Sequence, residues 1–194
     1  MEKNSVSSAV VKSIVLVALG AIIILGVYLL LNRGKKSGGE EVYDLTVVDE
    51  ITTTNLDKNY PADARKVVDL YARTMKVLYK EKYSDEQQTK MLDVLAGIMD
   101  DELLAAQSNF YKSMRDEIKG KKDEDYSIPA YVVQSKEPEV VTVDGKKMCT
   151  VKCLFSLRHG TVSSATYYEF IMRQDDQGKW KILGWNILED ESAF

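Results

Sequence analysis

The sequence predicts an α+β domain held behind an N-terminal transmembrane helix, and three observations carry that prediction. An uncharged apolar run lies near the N-terminus, apolar residues recur at three- and four-residue steps from Pro61, and two-residue alternation takes over after Ile128. Helices and strands segregated in this order define the α+β class. At 194 residues the chain holds one ordinary domain and its attachments. Its 26 basic and 30 acidic residues leave a net charge of -4, which argues against a nucleic-acid binder held by counterion release. That total hides a split: residues 1–36 carry a net of +4 and the remainder a net of -8. A basic, apolar head on an acidic body points to membrane attachment.

From Ile14 to Leu31 run 18 residues without charge. At the helical rise they span about 27 Å, close to the hydrocarbon thickness of a bilayer. A cleaved signal peptide has an apolar core of about 7–15 residues and a small-x-small cleavage site. Here the run is longer and closes with Leu31-Asn32-Arg33, with no Ala-x-Ala after it. An uncleaved signal anchor is therefore expected over residues 13–32, behind a tail at 1–12. Lys3 and Lys12 precede the span while Arg33, Lys35 and Lys36 follow it, so charge does not orient it. The body is placed outside the cytoplasm because the tail is too short to serve as an external domain. Gly20 and Gly26 form no Gly-x-x-x-Gly dimerisation face.

Residues 33–59 read as tether and arm. Gly34 to Glu41 is glycine-rich and flexible, whereas 42–59 clusters β-branched residues without a clean period. The main domain is expected over 60–190. Pro61 suits a first helical position, and Ala64, Val67, Val68, Tyr71, Met75 and Leu78 form one apolar face. Ser84 and Gln87 make a capping box that opens a second helix through Met91, Leu92, Leu95, Ile98 and Met99, continuing or restarting at Asp101. Phe110, Tyr111, Met114 and Ile118 indicate a third helix that Gly120 stops, and the charge block Lys121–Asp125 reads as a solvated loop.

The strands begin with Tyr131–Val143, where Pro138 implies a bulge or an edge, since it cannot donate to a ladder. Asp144-Gly145 is a hairpin turn. In Lys147–Arg158, residues Cys149, Val151, Cys153, Phe155 and Leu157 share one face. His159-Gly160 turns the chain into Ser163–Arg173, and Asp175–Gly178 turns it into Lys179–Leu188. Three helices followed by about four long antiparallel strands are expected, with the sheet twisting around the first helix.

That order, ending in Gly178-Lys179-Trp180-Lys181-Ile182-Leu183-Gly184-Trp185, resembles the nuclear-transport-factor-like (cystatin-like) superfamily over roughly residues 60–188. The anchor, Leu56-Asp57-Lys58-Asn59-Tyr60-Pro61, Tyr83-Ser84-Asp85-Glu86 and Gly178 to Trp185 together are similar to a family of uncharacterised single-pass proteins of Gram-positive anaerobes. The resemblance implies a cone-shaped fold and a location outside the cytoplasm. Because the superfamily includes isomerases and dehydratases with a pocket carboxylate and a tyrosine, it makes Glu169 a weak catalytic candidate, with Tyr167, Tyr168 and Tyr131 as companions.

Alternation weighs against that role. Either Glu169 or the pair Tyr168 and Phe170 faces inward, and the aromatic pair makes the better core. Trp180 and Trp185 differ by five positions, so a regular strand points them to opposite faces, one in the core and one on a surface. Trp180, Trp185, Tyr168 and Phe170 are thus the candidate ligand or partner surface. Cys149 and Cys153 lie about 13 Å apart on a regular strand, beyond the roughly 4.4–6.8 Å a disulfide allows, and read as small buried hydrophobes. With one histidine, His159, at a turn, no Cys/His metal site is expected, and no cofactor. The leading expectation is an extracytoplasmic binding or interaction module for an envelope protein or small ligand. The alternatives are a small-molecule isomerase or lyase and a structural subunit of a membrane assembly.

Overall fold

The computed structural model describes residues 46–188. The expected tail, the anchor at 13–32 and the first part of the tether lie outside the described residues. Among those described, no helix is long and apolar enough to cross a membrane.

The arm forms a helix that the sequence period does not reveal, because it is only six residues long. In α1 (Val47–Thr52), Thr46 accepts from the Asp49 N–H at 3.2 Å while the Asp49 carboxylate takes the Thr46 N–H at 3.2 Å. This reciprocal cap satisfies two donors that the first turn would leave open, and lets α1 bury Val48 and Ile51. Helix α2 (Ala64–Lys80) starts three residues after Pro61, because Asp63 is the N-cap and accepts from the Lys66 N–H at 2.9 Å. Its predicted apolar face is buried. Helix α3 (Asp85–Ile98) opens with the predicted Ser84–Gln87 box, and Asp100 caps a separate short helix, α4 (Asp101–Ala105).

Helix α5 (Phe110–Asp123) runs through Gly120 instead of stopping there, so Lys121, Lys122 and Asp123 are helical and not loop. A mid-helix glycine costs only about 1 kcal/mol relative to alanine. Tertiary contacts outweigh that: Lys122 donates to the Glu81 carbonyl at 2.7 Å and lies 4.2 Å from the centre of the Tyr83 ring. Five helices are therefore described, where three were expected.

All strand pairings are antiparallel, in the order β1-β3-β4-β5, with β2 pairing β3 beside β1. Strand β1 (Tyr126–Val133) begins earlier than predicted and bulges between Ser127 and Ala130, at Pro129. Pro138 lies in the connection to β2 (Val141–Val143) and makes no bulge. The turn to β3 (Lys146–His159) holds Asp144 at φ 50° and Gly145 at φ 78°, the paired positive values of a tight hairpin. Strand β4 (Val162–Gln174) is long and continuous, and β5 (Trp180–Leu188) shifts register opposite Ile171 and Met172.

Helix α2 lies against one face of this sheet and touches β1, β3 and β5. The buried residues Cys149, Val151, Cys153 and Phe155 of β3 face it, with Phe170 and Met172 of β4 and Ile182 of β5. The α3–α4 junction covers part of the β5 edge: the Asp100 N–H donates to the Ile182 carbonyl at 2.8 Å, and Lys181 Nζ donates to the Gly97 carbonyl at 2.6 Å. Arg173 ties the junction to β4, its Nε donating to Asp100 Oδ2 at 2.9 Å and a second nitrogen to Asp100 Oδ1, while a third reaches Glu102 at 2.9 Å.

Burial by itself would raise the Asp100 carboxyl, but the Arg173 and Glu102 N–H hydrogen bonds, with the charges of Arg173 and Lys146, outweigh it and hold the group below its ordinary value. The resulting stability is complete above the unfolded value of about 3.9 and is lost as pH falls through the folded one. Asp100→Asn is expected to cost roughly 2 kcal/mol at pH 7 in denaturant melts. The variant should also show a flatter stability profile than the parent below about pH 4; parallel profiles would remove this pair from the account.

Candidate functional site

A cavity of about 280 Å³ lies between α2, α5 and the inner face of the sheet. Each wall follows from a local rule. On α2, Tyr71, Met75 and Tyr79 are four residues apart and form one stripe; on α5, Met114, Glu117 and Lys121 do the same at steps of three and four. Tyr126 and Ile128 come from β1, and Phe155 and Leu157 from β3. Tyr168 and Phe170 stand on β4, with Trp185 paired to Phe170 from β5.

The deep part is apolar and aromatic. Tyr71, Met75, Tyr79, Ile128, Phe155 and Phe170 are buried, whereas Lys121 and Tyr126 are half-buried and Glu117 and Trp185 are exposed at the mouth. Tyr71 meets Phe170 edge-on with ring centres 5.2 Å apart, and Trp185 lies 5.9 Å from Tyr71 and 6.0 Å from Phe170. Phe155 and Tyr168 are nearly perpendicular at 5.4 Å. These contacts brace the rings against one another and leave the space between them unfilled. A closed, dry void of that volume would cost on the order of 7 kcal/mol, comparable with the whole stability of a domain. Water entering at the mouth lowers that cost, and the polar groups give it partners.

Glu117 accepts from the Tyr79 hydroxyl at 2.9 Å. Burial first, and then the Glu117 carboxylate, push the Tyr71 and Tyr79 hydroxyls well above the ordinary tyrosine range; Tyr168 is raised for the same reasons. All three stay protonated at neutral pH and can donate. Tyr71 is buried, yet its hydroxyl makes no hydrogen bond among the described residues, and it lines the cavity. Lys121 Nζ lies 4.5 Å from the centre of the Tyr126 ring, a cation–π contact.

Of the residues singled out from the sequence, Tyr168, Phe170 and Trp185 come together in the cavity wall. Trp180 and Trp185 do not face opposite sides. Phe170 pairs with Trp185 and Gln174 with Trp180, and the register shift between those pairs, at Leu183, restores both tryptophans to the inner face. Trp180 packs on the core and accepts from the Tyr60 hydroxyl through its carbonyl at 2.7 Å. Glu169 and Tyr167 alternate with the inward Tyr168 and Phe170 and so point outward, Glu169 across from Lys152 and Asn186. Tyr131 donates to Asp69 at 3.0 Å, and burial followed by the Asp69 charge pushes it up to about 12; it is not in the cavity.

His159 is exposed and stacks on Tyr126 at 4.3 Å. Burial pushes the Cys149 thiol up to about 11 and that of Cys153 up to about 12, with the Asp69 charge adding to the second. Both free thiols are thus protonated and unreactive at neutral pH. Among the described residues no three His, Cys, Asp or Glu side chains are grouped to hold a metal ion. Sequence reasoning missed Tyr71, Tyr79, Glu117 and Lys121 as cavity residues. Their signal was the four-residue spacing, which marks a shared face without saying whether that face meets protein or space.

The Tyr71 hydroxyl makes no hydrogen bond among the described residues, so Tyr71→Phe is expected to leave stability unchanged or raise it by up to about 1 kcal/mol. Tyr79→Phe removes a hydrogen bond to a carboxylate and is expected to cost about 1 kcal/mol. Thermal and denaturant melts of the two variants check the contrast, and a larger loss for Tyr71→Phe would mean that its hydroxyl serves the fold.

No curated protein matches the sequence. Among solved structures the chain is similar to an IcmL-like type IV secretion system protein from Legionella pneumophila, at 9% identity and a TM-score of 0.39, covering 65% of this chain and 92% of that one. It is also similar to the candidate transfer protein TraH of the Gram-positive conjugative plasmid pIP501, at 11% identity and a TM-score of 0.37, covering 67% of this chain and 97% of that one. The family model for a domain of unknown function, DUF6715, matches residues 1–185, and the chain belongs to that family.

Proposed function

We propose that this protein is a membrane-anchored, extracytoplasmic binding module whose cavity holds a small ligand. One observation carries the reading: an aromatic cavity of about 280 Å³ in which the polar groups of Tyr71, Tyr79, Glu117 and Lys121 converge. Ligand sites share this build, a largely apolar wall with a few placed polar groups. Keeping such a space open costs stability that closer packing would recover. The anchor belongs to residues 13–32 and the tether and arm to 33–59, with the binding domain at 60–190; the uncharged run from Ile14 to Leu31 supports that division. The helix-then-sheet order and the placement of α2 across the sheet support a cone of the nuclear-transport-factor-like kind.

A second reading, an isomerase or lyase, is favoured by one contact, the carboxylate of Glu117 beside the hydroxyl of Tyr79. Binding is preferred because Glu117 is exposed at the mouth, where water is not excluded from the reacting atoms. Glu169, the carboxylate that the sequence offers for catalysis, points away from the cavity.

With methyl-labelled methionine, p-cresol at millimolar concentration is expected to shift the Met75 and Met114 signals. Ile128→Phe, which enlarges a buried wall residue, should abolish those shifts. Absence of shifts, or shifts that survive the substitution, would sink the binding reading. For the location, protease added to intact cells is expected to degrade residues 40–194; their persistence there, with degradation after lysis, would place the body in the cytoplasm.

A further inference from the structure

We infer that the ligand of this cavity is a zwitterion with an apolar body, such as an aromatic α-amino acid, whose ammonium meets Glu117 and whose carboxylate meets Lys121. The inference rests on the binding reading above and names the ligand class of that same site. It starts from three acid–base pairs at four-residue spacing on α5. Lys112 and Asp116 close as an ion pair at 2.6 Å, and Lys119 and Asp123 also close. Glu117 and Lys121 have the more favourable order, with the acid on the N-terminal side, yet make no ion pair with each other among the described residues. A tyrosine holds each of them instead: the Tyr79 hydroxyl donates to Glu117 at 2.9 Å, and the Tyr126 ring lies 4.5 Å from Lys121 Nζ.

The mouth therefore presents one negative and one positive group side by side, with Cβ atoms about 5–6 Å apart as the helix dictates. Both line the cavity, and both keep hydrogen-bonding capacity to spare: Glu117 its second oxygen and Lys121 its three donors. A single anion or a single cation would satisfy one of these groups and repel the other. A zwitterion satisfies both. Below the charges the walls turn aromatic, with Phe155, Phe170 and Tyr71 buried and Trp185 at the rim, which suits a flat apolar side chain directed inward.

Three probes that share a phenyl ring separate the contributions: L-phenylalanine carries both charges, phenethylamine only the cation and 3-phenylpropionate only the anion. Losing one charge-assisted contact is expected to weaken binding about 10-fold, so L-phenylalanine should outbind both analogues by at least that factor in calorimetry or methyl-detected titration. Glu117→Gln should weaken L-phenylalanine about 10-fold and, by removing the like charge, leave 3-phenylpropionate no weaker than in the parent. Lys121→Met should weaken L-phenylalanine by a similar factor and, by removing the like charge, leave phenethylamine no weaker than in the parent. Both positions are at the mouth and outside the buried core, so these variants are expected to fold. If p-cresol shifts the Met75 and Met114 signals but L-phenylalanine gains nothing over its singly charged analogues, the zwitterion inference falls and the cavity remains a binding site. If p-cresol leaves those signals unmoved, the binding reading and the inference that rests on it fall together.

Discussion

The contact between α2 and the inner face of the sheet is the interaction on which the rest of the domain depends. Val67, Val68, Ala72 and Leu78 of the helix are fully buried, as are Val151, Cys153, Met172 and Ile182 of the sheet. Each large side chain in such a contact gains about 1.5–3 kcal/mol over exposure. Neither the helix nor the sheet can gain that burial without the other, so they must form together. The remaining elements close around this pair: α1 and α3 pack on α2, α5 spans from α2 to β1, and the α3–α4 junction covers part of the β5 edge.

The same contact explains why a cavity exists. Toward the start of α2, Val67 and Val68 are fully buried. One turn further on, Tyr71 meets Phe170 and Trp185 ring against ring. Aromatic rings prefer edge-on and tilted contacts with centres several ångströms apart, and such contacts hold the helix away from the sheet along the Tyr71, Met75 and Tyr79 stripe. Helix α5 then supplies Met114, Glu117 and Lys121 as the third wall. The path of α5 past Gly120 matters here, because a helix ending at the glycine would leave Lys121 without a fixed position opposite Tyr126.

Charge follows an equivalent logic. The buried carboxylate of Asp100 is matched by Arg173 and serves the fold, joining two segments 73 residues apart. Among the described residues, Glu117 is balanced by a neutral hydroxyl and Lys121 by a ring face. A structural pair is closed on itself, whereas these two groups are oriented and left open. That difference separates the cavity mouth from the ion pairs elsewhere on the surface, most of which join exposed side chains and contribute little to stability.

Local patterns alone determined much of this protein: the α+β order, the Ser84–Gln87 cap, the Asp144-Gly145 turn, the inward face of β3 and the inward position of Tyr168 and Phe170. These features depend on residues within a turn or on a strand's strict period of two, so a short stretch of sequence is enough to fix them. Only the tertiary structure decided the passage of α5 through Gly120, the bulge at Leu183 that turns both tryptophans inward, and the meeting of Tyr71, Tyr79, Glu117 and Lys121. The first two are small local costs repaid by distant contacts. The last joins separate helices and the sheet, and spacing within one element carries no information about what lies opposite it.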